Sequence, residues 1–218
     1  MNITTFIKAW PILKKQVKTF RLPWLENLAA VDRDPFKVLI ACILSLRTQD
    51  KTTGAASERL FRIAATPQAL TRIPIKTIEK TIYPVGFYRV KAETIMDLSK
   101  ELMNDHDSRV PDTLEGLLAL KGVGRKTANL VLTRGFNKYG ICVDTHVHRI
   151  TNRWGLVTTK NPDETEAALR EVLPKRYWKD LNAILVAFGQ NICKPLSPLC
   201  SQCRIFNFCD KRSVTKHR

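Results

Sequence analysis

LKGVGRKTAN, residues 120–129, joins the end of an apolar helix to a turn with two glycines and to the basic start of a second helix. Gly122 and Gly124 permit positive φ and leave backbone N–H groups uncovered, and Val123 between them is expected to face inward and lock the two helices. Uncovered N–H groups at the positive end of a helix suit a phosphate. The pattern predicts a helix-hairpin-helix, which holds the DNA backbone without reading its sequence. An ordinary helix–helix turn is the alternative, and the acid-free basic flanks disfavour it.

The basic charge of the chain is concentrated around this turn and at both ends. The 218 residues carry a formal net charge of +16, and residues 1–22, 120–139 and 193–218 each contribute +5. The remainder is nearly neutral. This distribution indicates a basic surface for a polyanion, most often nucleic acid, rather than charge that only aids solubility. Hydrophobic residues make up 44% of the chain, which is a globular composition and excludes a disordered basic tail protein.

The chain is predicted to be mostly helical, with no low-complexity linker. Helix starts are indicated where a capping side chain precedes a proline, at Asp34-Pro35, Thr66-Pro67 and Asn161-Pro162. Asp112 and Glu115 predict a similar capping box before the helix that enters the hairpin. Strand signals are weak, so the predicted fold class is all-α.

A membrane or secreted location is not expected. The longest apolar run, residues 38–44, is too short to span a bilayer. The N-terminus has no charged region followed by an apolar one, as a secretion signal would. We expect a cytoplasmic protein, associated with the nucleoid if the source is prokaryotic.

A second segment, VDTHVHR at residues 143–149, places Asp144 directly before an amphipathic stretch. An aspartate there is expected to cap a helix, and a capping carboxylate is held rigidly enough to serve in catalysis as well. His146 and His148 suggest a metal, but two residues apart on a helix they face different ways, so joint ligation is not expected.

Four cysteines share one segment of seventeen residues: Cys193, Cys200, Cys203 and Cys209. Their spacing suits zinc with four thiolates and an iron–sulfur cluster about equally. Disulfides are disfavoured because no secretion signal accompanies them. Cys42 and Cys142 lie beside apolar residues and are expected to be buried free thiols.

Together the three sites resemble the endonuclease III family, the bifunctional DNA glycosylases with a helix-hairpin-helix and Gly/Pro-Asp signature. The resemblance extends from about Trp24 to Cys209. LKGVGRKTAN is similar to the family's hairpin, VDTHVHR to its catalytic-aspartate segment, and the cysteine spacing to its cluster loop. Since that loop holds a [4Fe–4S] cluster in the family, the resemblance implies iron–sulfur rather than zinc at the four cysteines.

The resemblance also implies a fold of two helical lobes with DNA bound in the cleft between them. One lobe is expected to be a six-helix barrel over residues 28–138, with the helix-hairpin-helix at about 114–136. The other is expected to combine residues 1–27 with residues 139–218 and to carry the cluster loop. The protein is expected to act as a monomer.

Lys126 matches the nucleophile of the family. Without the resemblance, a lysine early in a basic helix is more simply a phosphate contact. A lysine attacks as the neutral amine, which partial burial, Arg125 and a helix N-terminus all favour. Asp144 matches the carboxylate that assists departure of the base.

The implied reaction removes oxidised or ring-saturated pyrimidines from double-stranded DNA. The strand is then cut 3′ to the abasic site by β-elimination through a lysine Schiff base, and DNA that already contains abasic sites is also a substrate. The candidate DNA contacts are Arg47, Lys121, Gly122, Val123, Gly124, Arg125, His146 and Lys194.

The chain departs from the family pattern at two of these positions. Arg47 stands where family members usually have the glutamine that fills the gap left by the extruded base. Arginine is long enough to act as the same wedge, although a surface or phosphate contact is the simpler role. Lys121 replaces the usual proline of the hairpin and adds a charge near the phosphates.

Two other functions remain open from the sequence. One is a mismatch-specific glycosylase of the same superfamily, whose members usually lack the lysine. The other is a non-catalytic iron–sulfur DNA-binding protein, against which the presence of both Lys126 and Asp144 argues.

Overall fold

The computed structural model describes all 218 residues and contains twelve α-helices and no β-strand. In chain order the helices are α1 (Ile3–Val17), α2 (Trp24–Val31), α3 (Pro35–Ser45), α4 (Asp50–Ile63), α5 (Pro67–Thr71), α6 (Ile75–Ile82), α7 (Tyr88–Asp105), α8 (Leu114–Ala119), α9 (Arg125–Leu130), α10 (Thr145–Arg153), α11 (Pro162–Val172) and α12 (Trp178–Asn191). A π-helical segment, Val131–Gly135, continues α9. The predicted all-α fold class is confirmed.

One compact unit consists of Trp24–Gly140. Helix α3 forms its centre, because every residue from Val38 to Leu44 is apolar and at most 1% exposed. A helix that is apolar on all sides has to be covered on all sides. Helices α4, α7 and α9 and the π-helical segment pack around it.

The other compact unit combines Met1–Pro23 with Ile141–Arg218. Helices α1, α10 and α12 enclose its core, in which the ring of Phe6 lies 5.2 Å from that of Trp10 and 5.2 Å from that of Tyr177. Cys193, Cys203 and Cys209 pack on the edge of this core. The aromatic core therefore supports the loop that carries the clustered cysteines.

Three of the predicted helix starts are confirmed. Asp34, Thr66 and Asn161 each cap a helix through a side-chain oxygen that accepts backbone N–H groups. In each case proline follows at the first helical position, where its missing N–H leaves no hydrogen bond unmade.

The capping box predicted at Asp112 and Glu115 is wrong. Thr113 is the cap of α8, and its Oγ1 accepts from Gly116 N at 3.1 Å. The carboxylate of Asp112 instead binds Lys138 Nζ at 2.5 Å. The Thr113 hydroxyl is one residue nearer the helix and accepts from its free N–H group. The Asp112 carboxylate binds Lys138, which is distant in sequence.

Two further expectations concern burial. Cys42 and Cys142 are buried and form no disulfide, as predicted. None of the twelve helices has both the length and the apolar character that a membrane-spanning segment requires.

Candidate active site

The turn between α8 and α9 has the backbone that its glycines predict. Gly122 has φ +82°, a left-handed value that glycine adopts without steric cost. Val123 is 6% exposed and is therefore buried as expected. Around Gly124 the space is open, since a Cβ atom built there meets nothing within 4 Å. The backbone at Gly124 is thus accessible directly before the first turn of α9.

Lys121 and Lys126 have different surroundings in this hairpin. The side chain of Lys121 is 80% exposed and lies 3.7 Å from an Asp97 oxygen. Lys126, at the second position of α9, is only half-exposed and lies near the buried thiol of Cys42. Burial raises the pKa of Cys42 to about 12, and the nearby charge of Lys126 opposes that rise. Cys42 therefore stays protonated and unreactive beside the candidate nucleophile.

The π-helical segment after Leu130 was not predicted. Within it, the Thr133 hydroxyl donates to Asn129 O at 2.8 Å, and the Phe136 N–H reaches back to Val131 O. Short π-helical turns inside helices are frequent at functional sites, and this one follows the helix of Lys126 directly. No motif in the sequence Val-Leu-Thr-Arg-Gly of residues 131–135 marks it.

Arg47 is exposed in the loop after α3, with a left-handed φ of 51°. Its guanidinium carbon lies 5.7 Å from the centre of the Phe87 ring, within the range of a cation–π contact. Phe87 also has a left-handed φ, of 57°, and is 62% exposed. Phe87 could not be singled out from the sequence, since its exposure and its contact with Arg47 depend on two loops distant along the chain.

Asp144 caps α10, as predicted. Its Oδ1 accepts from His146 N and from Val147 N, both at 2.9 Å. Both cap hydrogen bonds use the same oxygen, so Oδ2 is left for another partner. The side chain is only half-buried, which keeps that oxygen accessible.

The two histidines after Asp144 have separate partners. His146 Nδ1 lies 3.1 Å from the Arg149 guanidinium, and His148 Nδ1 lies 2.7 Å from Thr165 Oγ1. Arg149 also donates to Cys193 O at 2.9 Å. His146 is therefore linked through Arg149 to the start of the cysteine segment.

The four clustered cysteines are free thiols that line one cavity: Cys193, Cys200, Cys203 and Cys209. Apolar side chains, among them Trp154, Phe188 and Leu199, form most of the remaining wall. Burial raises the pKa of Cys203 to about 12 and also raises the pKa values of Cys200 and Cys209. Thiolates would need a positive partner to persist in such surroundings.

Nitrogen donors already point at two of these sulfur atoms. Lys211 N donates to Cys209 Sγ at 3.3 Å, and an Arg153 guanidinium N–H donates to Cys193 Sγ at 3.5 Å. Arg153 also holds Lys194 O at 2.6 Å. Donors to sulfur stabilise thiolates that bind a metal. No three of the cysteines gather tightly around a single point.

The sequence matches a family model and curated proteins over most of its length. The model of the HhH-GPD superfamily base excision DNA repair proteins matches residues 40–175. Endonuclease III of Thermotoga maritima is 49% identical over 179 residues, which cover 82% of this chain and 84% of that protein. The chloroplastic endonuclease III homolog 2 of Arabidopsis thaliana is 47% identical over 183 residues, which cover 80% of this chain but only 47% of the plant protein.

Solved structures agree with the sequence comparisons. A non-covalent endonuclease III–DNA complex matches with a TM-score of 0.85 at 31% identity, covering 97% of this chain and 96% of that chain. A trapped endonuclease III–DNA covalent intermediate, an estranged-adenine complex, matches with a TM-score of 0.77 at 32% identity, covering 91% and 96%.

These findings define a base excision DNA repair protein with a helix-hairpin-helix. Within that class the chain belongs to the endonuclease III family, the DNA glycosylases with AP lyase activity. The predicted family and enzyme class are confirmed. The roles of individual residues stay predictions.

Proposed function

We propose that this protein removes oxidised or ring-saturated pyrimidines from double-stranded DNA and cleaves abasic sites, with Lys126 as the nucleophile. The observation that carries this assignment is the hairpin, in which one short turn presents an open backbone at Gly124 and a half-buried lysine two residues later. The similarity to a trapped endonuclease III–DNA covalent intermediate supports a covalent reaction with DNA.

The reaction begins with extrusion of the damaged nucleotide. Extrusion costs a few kcal/mol and costs least for lesions that pair or stack badly, which gives the enzyme part of its selectivity. Arg47, exposed in the loop after α3, enters the space that the base leaves. Its five N–H donors suit hydrogen bonding with the unpaired base of the opposite strand.

The neutral amine of Lys126 then attacks the sugar C1′ atom, and the bond from C1′ to the base breaks with its electron pair leaving on the base. Ring opening gives a Schiff base between Lys126 and C1′, which makes the C2′ proton acidic. Loss of that proton expels the 3′ phosphate, so the strand is cut on the 3′ side of the abasic site. Water finally releases the sugar remnant from the lysine.

Asp144 assists departure of the base and stabilises the positive charge that develops on the sugar. Its two N-cap hydrogen bonds fix the position of the carboxylate. The free Oδ2 is the atom that we assign to this task.

The DNA backbone is bound by the hairpin and by the unit that carries the cysteines. We assign residues 28–138 to the barrel lobe and residues 1–27 and 139–218 to the cluster lobe. The compact unit Trp24–Gly140 supports this division. The assigned contacts are Lys121, Gly122, Val123, Gly124 and Arg125 in the hairpin, and His146 and Lys194 in the cluster lobe. Similarity to an endonuclease III–DNA complex supports DNA as the partner. We place the protein in the cytoplasm and expect it to act as a monomer.

A [4Fe–4S] cluster fits the four clustered cysteines. They are free thiols around one largely apolar cavity, and N–H groups already point at two of the sulfur atoms. The cluster would cross-link the C-terminal loop and hold Lys194 in place for a phosphate contact. Iron and acid-labile sulfide in equal amounts in the purified protein would support this assignment, and zinc in their place would contradict it.

The two alternatives make different predictions. A mismatch-specific glycosylase would release an undamaged base from a mismatch and leave the strand intact. A non-catalytic iron–sulfur protein would bind DNA and do neither. Membership of the endonuclease III family and the lysine at position 126 favour the glycosylase/lyase.

Strand cleavage by Lys126→Ala tests the proposed function. The variant is expected to leave an abasic-site duplex and a thymine glycol duplex uncut, whereas the wild-type protein cuts both. Lys80→Ala, which removes an exposed lysine on α6, is the matched control and should cut as the wild type does. Undiminished cleavage by Lys126→Ala would refute the assignment.

A further inference from the structure

Lys91 on α7 is a buried lysine whose ammonium group is bound by oxygen atoms at the end of α3 and in the following loop, which carries Arg47. The residue is 6% exposed. Its Nζ donates to Leu44 O at 2.9 Å, to Leu46 O at 2.5 Å and to Thr48 Oγ1 at 3.1 Å. Burial lowers its pKa to about 8. A lysine buried in this way is costly to the fold, so its location calls for a reason.

Thr48 connects this lysine to a second loop. Its hydroxyl accepts from Lys91 Nζ and from Gly86 N at 3.1 Å, and it donates to Leu46 O at 3.2 Å. All the hydrogen-bonding capacity of the hydroxyl is therefore used. The segment before α7 is thus tied to the segment after α3 by one side chain.

The two loops also meet backbone to backbone. A Cβ atom on Gly86 would lie 2.7 Å from Arg47 O, which is closer than such atoms come in proteins. Only glycine permits this approach. Gly86 therefore packs directly against the carbonyl of Arg47. The next residue, Thr48, is held in place by its three hydrogen bonds.

Arg47 itself and Phe87, the residue after Gly86, both have left-handed backbones. A residue other than glycine adopts this conformation only at an energetic cost, so surrounding contacts must maintain it. The guanidinium of Arg47 lies against the ring of Phe87 in this arrangement. The network of Lys91, Thr48 and Gly86 thus sets where the exposed arginine points.

We propose that Lys91, acting through Thr48, is a positioning residue that holds Arg47 in the conformation from which its side chain enters the space left by an extruded base. The proposal rests on the proposed function, because the role of Arg47 belongs to it. The network then matters for extrusion from a duplex, where an opposite strand must be held apart. It does not matter for Schiff-base chemistry at Lys126 on a single strand.

A merely structural role for Lys91 predicts a different result. If the lysine only completed the end of α3, its loss would lower folding stability and reduce activity on every substrate alike. The proposal requires a loss that is selective for the duplex substrate and that depends on Arg47.

The test compares single-turnover rates on two substrates, a thymine glycol duplex and a single-stranded oligonucleotide with a preformed abasic site. Lys91→Met and Thr48→Val are expected to slow the duplex reaction by about 10- to 100-fold, because small misplacements of a contact group have effects of that order. Both should process the single strand within about twofold of the wild type. Thr48→Ser, which keeps the hydroxyl, should retain the wild-type rate on both, as should the exposed-lysine control Lys100→Met.

A double-mutant cycle with Arg47→Ala shows whether Lys91 acts through Arg47. Arg47→Ala alone should give the duplex-selective loss, and adding Lys91→Met should slow the reaction little further. Equal loss on both substrates, no loss on either, or full additivity in the cycle would overturn the proposal. If Lys91→Met fails to fold, Thr48→Val and Thr48→Ser decide the question by the same criteria. A wild-type protein that acts on neither substrate would instead refute the proposed function, and with it this inference.

Discussion

Asp144 combines a structural and a chemical task in one side chain. The sequence predicts the cap, because a cap needs only an aspartate before an amphipathic stretch. The sequence does not predict which carboxylate oxygen forms the cap. That depends on the geometry by which Oδ1 alone accepts from two N–H groups. The two tasks are separable by substitution.

Asp144→Asn should keep the helix and lose the chemistry. Asparagine caps a helix about as well as aspartate does, but it carries no charge to stabilise a developing cation. We expect a melting temperature close to that of the wild type and a base-excision rate lower by about 100-fold or more. Asp144→Ala should in addition lose about 1 kcal/mol of stability. Wild-type base excision by Asp144→Asn would show that the carboxylate is only a cap.

Lys91 should give the protein a characteristic dependence of stability on pH. Its pKa is about 8 in the folded protein, against 10.5 for an ordinary lysine. Between these values the unfolded chain binds more protons, so the stability of the wild type relative to Lys91→Met should rise with pH. The rise is at most about 1.4 kcal/mol per pH unit.

Denaturant unfolding of both proteins from about pH 7 to about pH 10 measures this difference. We expect the difference to be constant below about pH 8 and then to change in favour of the wild type. A difference that stays constant over the whole range would mean that Lys91 is solvated like a surface lysine.

Within the hairpin, the two glycines have different roles. Gly122 is needed for its positive φ, whereas Gly124 has an ordinary φ of −92° and open space around it. Gly122→Ala should therefore cost about 1 kcal/mol of stability. Gly124→Ala should leave stability unchanged or slightly raised, but its Cβ would cover the N–H groups that receive a phosphate.

Thermal melting and binding to an abasic-site duplex check this prediction. Gly124→Ala should have the melting temperature of the wild type and bind DNA more weakly. Wild-type affinity in Gly124→Ala would exclude the hairpin backbone as a phosphate site.

Local sequence predicted those elements that local chemistry determines. The helix starts at Asp34, Thr66 and Asn161 follow from one side chain and one proline, and the buried helix α3 follows from an unbroken apolar run. The cap predicted at Asp112 is wrong because its carboxylate binds Lys138, which is distant in sequence.

The candidate site divides in the same way. Lys126, Asp144 and the clustered cysteines stand in motifs of fixed spacing, so they could be named from sequence. The network of Lys91, Thr48 and Gly86 could not, because it joins two loops about forty residues apart through contacts that no spacing encodes.

At the scale of the whole molecule, the charge distribution predicts steep salt dependence. If each of the three basic segments neutralises at least one phosphate, the logarithm of the affinity for a duplex should fall with the logarithm of salt concentration with a slope of about −3 or steeper. Lys194→Ala should reduce the slope by about one, and Lys80→Ala should leave it unchanged. A slope near zero would mean that these segments do not face the DNA.

Locating the covalent bond decides whether this chain is a glycosylase/lyase whose nucleophile is Lys126. Borohydride reduction during the reaction with an abasic-site duplex should trap one protein–DNA adduct, and proteolysis with mass spectrometry should place the sugar remnant on the peptide that contains Lys126. An adduct on another lysine, or no adduct from a protein that still cleaves the strand, would contradict the account.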